Sequence, residues 1–350
     1  MIDASWRERL DAVASSAGLP TSRHPRLGDW VRGVSDAYNQ AAFPLRWTPE
    51  RTAARLHFFL PRDAMKVATA LRDVPLPEGD GPLRLHDFGA GIGASALGAV
   101  LGLRARGVSR PIRLGLSDSD AAGLALAARV LGGLPGVELS RELSLPDLVL
   151  FSNVLVEVDH GRPEPARIEA HARLVQNHRA SLVLVVEPAL RDCARRLQAV
   201  RDRLVAAGVP VLAPCTHDAP CPLLRRDTDW CHDDLPVDLP PWLHPVARGA
   251  GLRWQGLTYA RLVLGQAPAA RPCFRVVAPP RDSRGRKERL LCGTLDGDVL
   301  TWVDRLEKHA SEANAAWATL GRGDGLDLVP AGRRVEPATE VHPWRRPHDG

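Results

Sequence analysis

The chain has 350 residues, 45% hydrophobic and 25% charged, with a formal net charge of +5. This composition excludes a disordered or fibrous polypeptide and fits one large or two modest globular units. No apolar run approaches the ~18 residues of a membrane span. Residues 1–10 carry Asp3 and Glu8 where a secretory signal would be apolar, so a cytoplasmic monomer without a membrane partner is expected.

Residues 1–78 read as a mostly helical segment. Ala54, Phe58, Met65, Ala68 and Leu71 recur at near-helical spacing, and Pro61 is expected to open or break a helix. A Pro/Gly/Asp-rich linker covers 75–82. Residues 79–210 then alternate. Strand-like runs at 83–88, 112–116, 147–151 and 182–187 are interleaved with helical stretches at 94–103 and 121–131, which predicts a parallel α/β sheet. Residues 211–320 form an extension. It comprises a Cys/Pro/Asp/His-rich loop to 241, strand-like segments at 252–264 and 273–277, a basic stretch at 271–289, and a predicted helix at 299–320. The Gly/Arg/Pro-rich tail, 321–350, is expected to be poorly ordered.

The first strand runs into Asp87-Phe88-Gly89-Ala90-Gly91-Ile92-Gly93, and a helix follows. Gly89, Gly91 and Gly93 let the backbone turn sharply and approach a ligand with no Cβ in the way, and the helix start offers unpaired N–H groups. Glycine turns after strands are common, and this one also satisfies the loose dinucleotide fingerprint. Two acids favour S-adenosylmethionine. Asp87 stands where a carboxylate can face an ammonium, a position a pyrophosphate site would leave apolar. Asp118 ends the second strand, where it can accept from ribose hydroxyls, while Asp120 is the better cap for the next helix. Ser152 and Asn153 fall at the carboxyl edge of the third strand, where α/β sheets bind ligands. No Asn-Pro-Pro-Tyr-like motif and no Pro-Cys nucleophile accompanies them, so the sequence supports cofactor binding better than catalysis. The expected fold is therefore α/β: a class I methyltransferase Rossmann-like sheet with an N-terminal helical segment and a C-terminal cysteine-cluster and β extension.

Cys215, Cys221 and Cys231 lie in the proline-rich polar loop, and Cys292 follows the basic stretch. A loop with so few apolar residues has little core to order it, and a metal would supply that ordering. The gaps of five and nine residues lack a zinc knuckle and suit a four-thiolate iron–sulfur cluster, with zinc as the alternative. Cys273 is the rival for the fourth position, Cys193 reads as a buried apolar residue, and His217 and His232 are accessory groups.

These features together resemble one family, the Rsm22-like ribosomal small-subunit-associated methyltransferase-like proteins. The resemblance rests on 213–221 (APCTHDAPC), 229–232 (DWCH), the 87–93 loop, 182–188 (LVLVVEP) and 35–39 (SDAYN). It implies a [4Fe–4S] cluster on Cys215, Cys221, Cys231 and Cys292, and association with small-subunit rRNA or the ribosomal small subunit. The sequence departs from the family at Ala189-Leu190, where Gly-Thr is usual, and at Asp233, where an aromatic is usual.

Arg281, Arg284, Arg286 and Lys287 form an exposed basic run suited to rRNA phosphates. Three functions stay open: an rRNA methyltransferase, a non-catalytic rRNA-binding assembly factor with a structural cluster, and a zinc-stabilised methyltransferase of another substrate.

Overall fold

Capping and amphipathic spacing build the N-terminal helices. In the computed structural model, which describes residues 2–344 except 41–44, 73, 78, 142 and 179, Asp3 caps α1 (Ala4–Ser16) by accepting from the Ser5 N–H. The second helix, α2 (Leu27–Asn39), buries Leu27, Val31 and Val34 along one stripe. Thr48 caps α3 (Pro49–Ala54); the chain then widens into a π-turn over Arg55–Phe59 and continues as α4 (Leu60–Ala70). Pro61 sits in the first turn of α4, directly after the π-turn, and so falls at the change of helical geometry within one continuous run.

The alternating segment forms β1 (Leu83–Phe88), α5 (Ala94–Ala105), β2 (Ile112–Ser117), α6 (Ala121–Leu131), β3 (Val137–Ser140), β4 (Leu148–Ser152), α7 (Glu164–Asn177), β5 (Leu182–Glu187) and α8 (Arg191–Ala206). Next come β6 (Val211–Ala213), β7 (Asp233–Leu235), α9 (His244–Ala250) and β8 (Leu257–Gly265). The strand order is β3-β2-β1-β4-β5-β8-β6, with β7 paired to β8. Strands β1 to β5 are parallel, and β8 runs antiparallel to both β5 and β6. A parallel sheet whose penultimate position holds one reversed strand is the class I methyltransferase arrangement. The order reverses direction between β1 and β4, which opens a crevice at their carboxyl ends. β5 is buried along its whole length, as a strand covered on both faces must be.

The N-terminal helices share the core of this sheet. Gly98 and Gly102 let α5 lie directly on α4: a Cβ on Gly102 would stand 2.9 Å from Ala68 Cα. Farther along, the Arg261 guanidinium donates to the Ala70 carbonyl at 2.9 Å and ties the end of α4 to β8.

A second sheet follows: β9 (Phe274–Val276), β10 (Arg281–Ser283), β11 (Arg286–Leu295), β12 (Asp298–Leu306), β13 (Gly325–Val329) and β14 (Glu340–Pro343). Its order is β10-β11-β9-β13-β14, with β12 on the free side of β11. Two expectations are corrected here. The helix expected over 299–320 is strand β12 followed by short 3-10 turns at Glu307–His309 and Ala315–Ala318. The reason is Asp296-Gly297, whose φ values of +51° and +83° make the two-residue turn whose twist matches a hairpin. The tail beyond Gly321 is not shapeless through Trp344, because Leu326, Leu328, Val335 and Val341 bury against Trp317 in a small core; its last part, 345–350, lies outside the described residues. No helix among the described residues is long and apolar enough to cross a membrane.

Candidate functional site

Two regions gather the residues that the sequence singled out. The first is the crevice at the carboxyl ends of β1, β2 and β4. Gly89, Gly91 and Gly93 all take positive φ, at +71°, +50° and +88°, which side chains rarely adopt. The loop is held by backbone bonds: Gly89 and Ala90 donate to the Ser117 carbonyl at 2.8 and 3.0 Å. Asp118 fastens it further, with Oδ2 accepting from the Gly91 N–H at 2.7 Å and Oδ1 from the Asp120 N–H at 2.8 Å. Asp120 caps α6 through the Gly123 N–H, as expected.

Both acids also serve the loop itself. Each Asp118 oxygen accepts one backbone N–H, which leaves a lone pair on each for a ligand. Asp87 is wholly buried, and Oδ2 accepts from Ser95 Oγ at 2.6 Å and from the Ala96 N–H at 3.0 Å, bracing the first turn of α5. Its Oδ1 has no partner among the described residues, and burial pushes the carboxyl up to about 7. Ser152 and Asn153 reach the same edge; Asn153 turns the chain at φ +57° and donates its N–H to Val186.

Three further side chains reach the crevice that the sequence does not point to: Arg55 and Tyr38 from the N-terminal helices, and Glu157 from the turn after β4. Arg55 Nη2 lies 2.5 Å from where a Cβ on Gly91 would stand. The Tyr38 hydroxyl donates to Glu157 Oε1 at 3.0 Å. Burial raises the Glu157 carboxyl and, with Glu157 beside it, the Tyr38 phenol. Tyr38 falls in the 35–39 motif, a signal of family and not of contact; nothing in the sequence points to Arg55.

The second region is a cavity beneath β8, where Cys215, Cys221, Cys231 and Cys292 all line one space with His217, Asp233, Arg201, Arg261 and Arg275. Burial pushes the Cys221 thiol up to about 12 and raises Cys231. Cys292 is raised well above a free thiol, by burial and then by Cys215, Cys231 and Cys221. His217 Nε2 lies 3.3 Å from Cys292 Sγ. Cys273 is exposed, with its N–H on Asp327, and lies outside the cavity, as does Cys193, buried on α8. Among the described residues, no group of three or more His, Cys, Asp or Glu side chains is arranged to hold a single metal ion.

Asp233, noted only as a departure, is the buried anion of this cavity. It accepts from Arg261 Nε and Arg275 Nη2, each at 3.1 Å, and all three side chains are at most 5% exposed. Burial opposes the charge of Arg275, yet Asp233 and Cys231 hold it protonated. Trp230 packs its ring beside His232 and donates to the Ala189 carbonyl, rather than lining the cavity. Burial, then Arg322, pushes His232 down to about 4.

The basic run divides. Arg281 stacks over Trp302, 4.0 Å from the ring centroid. Arg286 pairs with Glu288 and Asp304 at 3.2 Å each, and Lys287 with Asp282 at 3.8 Å. Arg284 is exposed and has no ion pair among the described residues.

The profile of the family described as "Mitochondrial small ribosomal subunit Rsm22" matches residues 133–305. No curated protein matches the chain. Among solved structures, the chain is similar to a Listeria monocytogenes protein described as a class I S-adenosylmethionine-dependent methyltransferase, at 11% identity over 72% of this chain and 73% of that one, TM-score 0.38. It is also similar to magnesium protoporphyrin IX methyltransferase from Synechocystis with bound S-adenosylhomocysteine, at 11% identity, 68% and 97% coverage, TM-score 0.33. A third is Aeropyrum pernix fibrillarin with S-adenosylmethionine, at 12% identity, 58% and 76% coverage, TM-score 0.28. The fold assignment rests on the strand order, not on these likenesses. The resemblance carried by the cysteine motifs is borne out: over residues 133–305 the chain matches the Rsm22 family.

Proposed function

We propose that this chain is a methyltransferase-like protein of the Rsm22 type that acts on or binds small-subunit rRNA. It binds S-adenosylmethionine in the crevice formed by Asp87, Gly89, Gly91, Gly93, Asp118, Ser152 and Asn153. It carries a [4Fe–4S] cluster on Cys215, Cys221, Cys231 and Cys292. The observation that carries this reading is that these four thiols, from segments as far apart as 215 and 292, line one cavity within the residues that match the family.

The chemistry of the lining fits such a group. Burial favours neutral thiols, while three guanidiniums, Arg201, Arg261 and Arg275, stand around them; Asp233 is the shared anion of Arg261 and Arg275, and Arg201 pairs with Asp202. A four-thiolate cluster carries net negative charge, which these cations offset. Bound there, a cluster would join the loop after β6 to strand β11 and so order the basic hairpin. Zinc on the same thiols is the alternative reading, which the metal content of the purified protein separates from the cluster. In the crevice, S-adenosylmethionine would supply a methyl group; the glycine loop, free of Cβ atoms, lets the backbone approach it, and the N-terminal helices exclude water.

The non-catalytic reading has its own support: Asp118 is already engaged by backbone, and Arg55 stands against Gly91. The decisive experiment is anaerobic purification followed by visible absorption, iron and sulfide analysis, a cofactor titration and a methylation assay on small-subunit rRNA. Iron and sulfide in equal amounts, with cofactor binding, are expected. Stoichiometric zinc, or neither metal, would overturn the cluster assignment, and methyl transfer separates the catalytic from the non-catalytic reading.

A further inference from the structure

One side chain at the crevice has chemistry that the proposed function does not use. Arg55 opens the π-turn between α3 and α4. A π-turn inserts a residue into a helix at some cost and is found mostly at functional positions. Here it leaves Leu56, His57 and Phe58 buried in the core while Arg55 stands over the glycine loop. The guanidinium stacks on Trp47, 3.9 Å from the ring centroid, which fixes its plane. Its carboxylate contact, Asp120 Oδ2, is 4.0 Å away, and it makes no hydrogen bond among the described residues. The side chain is only 19% exposed. An oriented, largely buried fork of five donors without a close acceptor is matched to a planar anion.

The surroundings narrow that anion. The crevice is otherwise acidic, with Asp118, Asp120 and Glu157 near the guanidinium. A polyanion such as a pyrophosphate would meet these carboxylates, whereas a ligand bearing both an ammonium and a single carboxylate would meet both signs. At the base of the loop, Asp87 Oδ1 is wholly buried and has no partner among the described residues, an acceptor left over.

We propose that Arg55 binds the α-carboxylate of an amino-acid-bearing nucleoside and thereby selects intact S-adenosylmethionine over nucleosides lacking that carboxylate. This rests on the cofactor reading above and adds the residue that sets its specificity. It also gives the N-terminal helices a role: α3 and α4 complete the site, and the sheet alone does not.

The test uses the full chain and two ligands, S-adenosylmethionine and decarboxylated S-adenosylmethionine, which keeps the ammonium and loses the carboxylate. Affinities are measured by calorimetry for the wild type, Arg55→Ala and Arg55→Gln, the last keeping much of the stacking without the charge. The wild type should prefer the carboxylated ligand by about ten- to a hundredfold, the range for a hydrogen-bonded charge pair. Both variants should lose that preference while binding the decarboxylated ligand within about threefold of wild type. Equal weakening toward both ligands would make Arg55 a structural residue and overturn the proposal. Tighter binding of both would make it an occluding side chain, with the same consequence. If the wild type binds neither ligand, the cofactor reading itself falls, an outcome separate from the other two. Melting curves of both variants identify a folding defect, and Arg55→Gln alone suffices if Arg55→Ala is unstable.

Discussion

The crevice lies at the carboxyl edge of the first sheet, the cysteine cavity takes side chains from both sheets, and the two are built on opposite plans. In the crevice a five-residue glycine loop is fixed by nearby backbone and one acid: Gly89 and Ala90 donate to the Ser117 carbonyl, Gly91 to Asp118 and Gly93 to the Ala90 carbonyl. In the cavity, residues from 201 to 292 contribute single side chains, and a buried arrangement of two guanidiniums on one carboxylate holds them. Short-range hydrogen bonds make a site that keeps its shape after a lost contact. A shared buried counter-ion makes one that does not. Similar-looking acids, Asp118 and Asp233, are therefore expected to carry very different energetic weight.

Substituting them tests this directly and carries the largest expected effect. Asp233→Ala leaves Arg261 and Arg275 buried without their anion, a change that costs about 3–5 kcal/mol. Asp118→Asn keeps an acceptor for one of its two backbone donors and should cost about 1–2 kcal/mol. Urea denaturation of the two variants measures both. Equal losses would show that the cavity is no more dependent on its anion than the loop is on its acid.

Next in size is the dependence of the cavity on each thiol. If one cluster joins these segments, as proposed, Cys292→Ser should remove it and speed hydrogen exchange in both 214–232 and 286–306. Cys273→Ser, which changes an exposed residue outside the cavity, should do neither. Metal analysis with hydrogen-exchange mass spectrometry reads both at once. Loss of metal in Cys273→Ser, or retention in Cys292→Ser, would reverse the fourth-ligand assignment.

The same contrast explains what was legible in the sequence. The glycine loop, its following helix, the Asp120 cap and the parallel strands are local patterns, and the structure has them where the residues point. The four-cysteine grouping was visible because thiols in a polar loop have no packing reason to be there. What sequence reading missed depends on distant partners. Asp233 looked like a departure from a motif until β8 and β9 placed Arg261 and Arg275 against it. Arg55 depends on a π-turn, which no composition announces. Residues 299–320 differ for another reason: their helical spacing competes with Asp296-Gly297, a hairpin signal, and the hairpin prevails. The tail's order is hidden because its few apolar residues, Leu326, Leu328, Val335 and Val341, are widely spaced yet converge on one tryptophan.

A third test concerns pH and the crevice alone. Burial raises Asp87 from an ordinary 3.8 to about 7. Between those values the folded protein holds a proton that the unfolded chain has released, so stability falls as pH rises through that window and levels off above it. The full span corresponds to at most about 4 kcal/mol. Asp87→Asn removes the titration and should flatten the stability profile between pH 4 and about 7, the variant gaining most at the upper end. Denaturation midpoints across pH measure it; an unchanged slope in the variant would assign the pH dependence to other buried acids such as Glu187, which burial pushes up to about 8.

The smallest effect is expected on the basic hairpin, where the structure separates residues that the sequence grouped. Arg286 and Lys287 already face Glu288, Asp304 and Asp282, so their charges are largely spent within the protein. Arg284 is exposed at the turn, and Arg281 lies flat on Trp302, an arrangement that offers a stacking surface with a positive charge on it. If this hairpin binds rRNA, Arg281→Ala and Arg284→Ala should each flatten the salt dependence of binding by up to about one unit of slope, while Lys287→Ala should change it by less. Trp302→Ala should weaken binding by about 1–3 kcal/mol per stacked base with little change in slope, since stacking releases no counter-ions. Titrations of a single-stranded small-subunit rRNA fragment at several salt concentrations distinguish the two kinds of contact. Equal effects from Arg284→Ala and Lys287→Ala would mean that the ion pairs open on binding. No effect from either would leave the hairpin a solvated face, and the cavity would then order it for reasons unrelated to RNA.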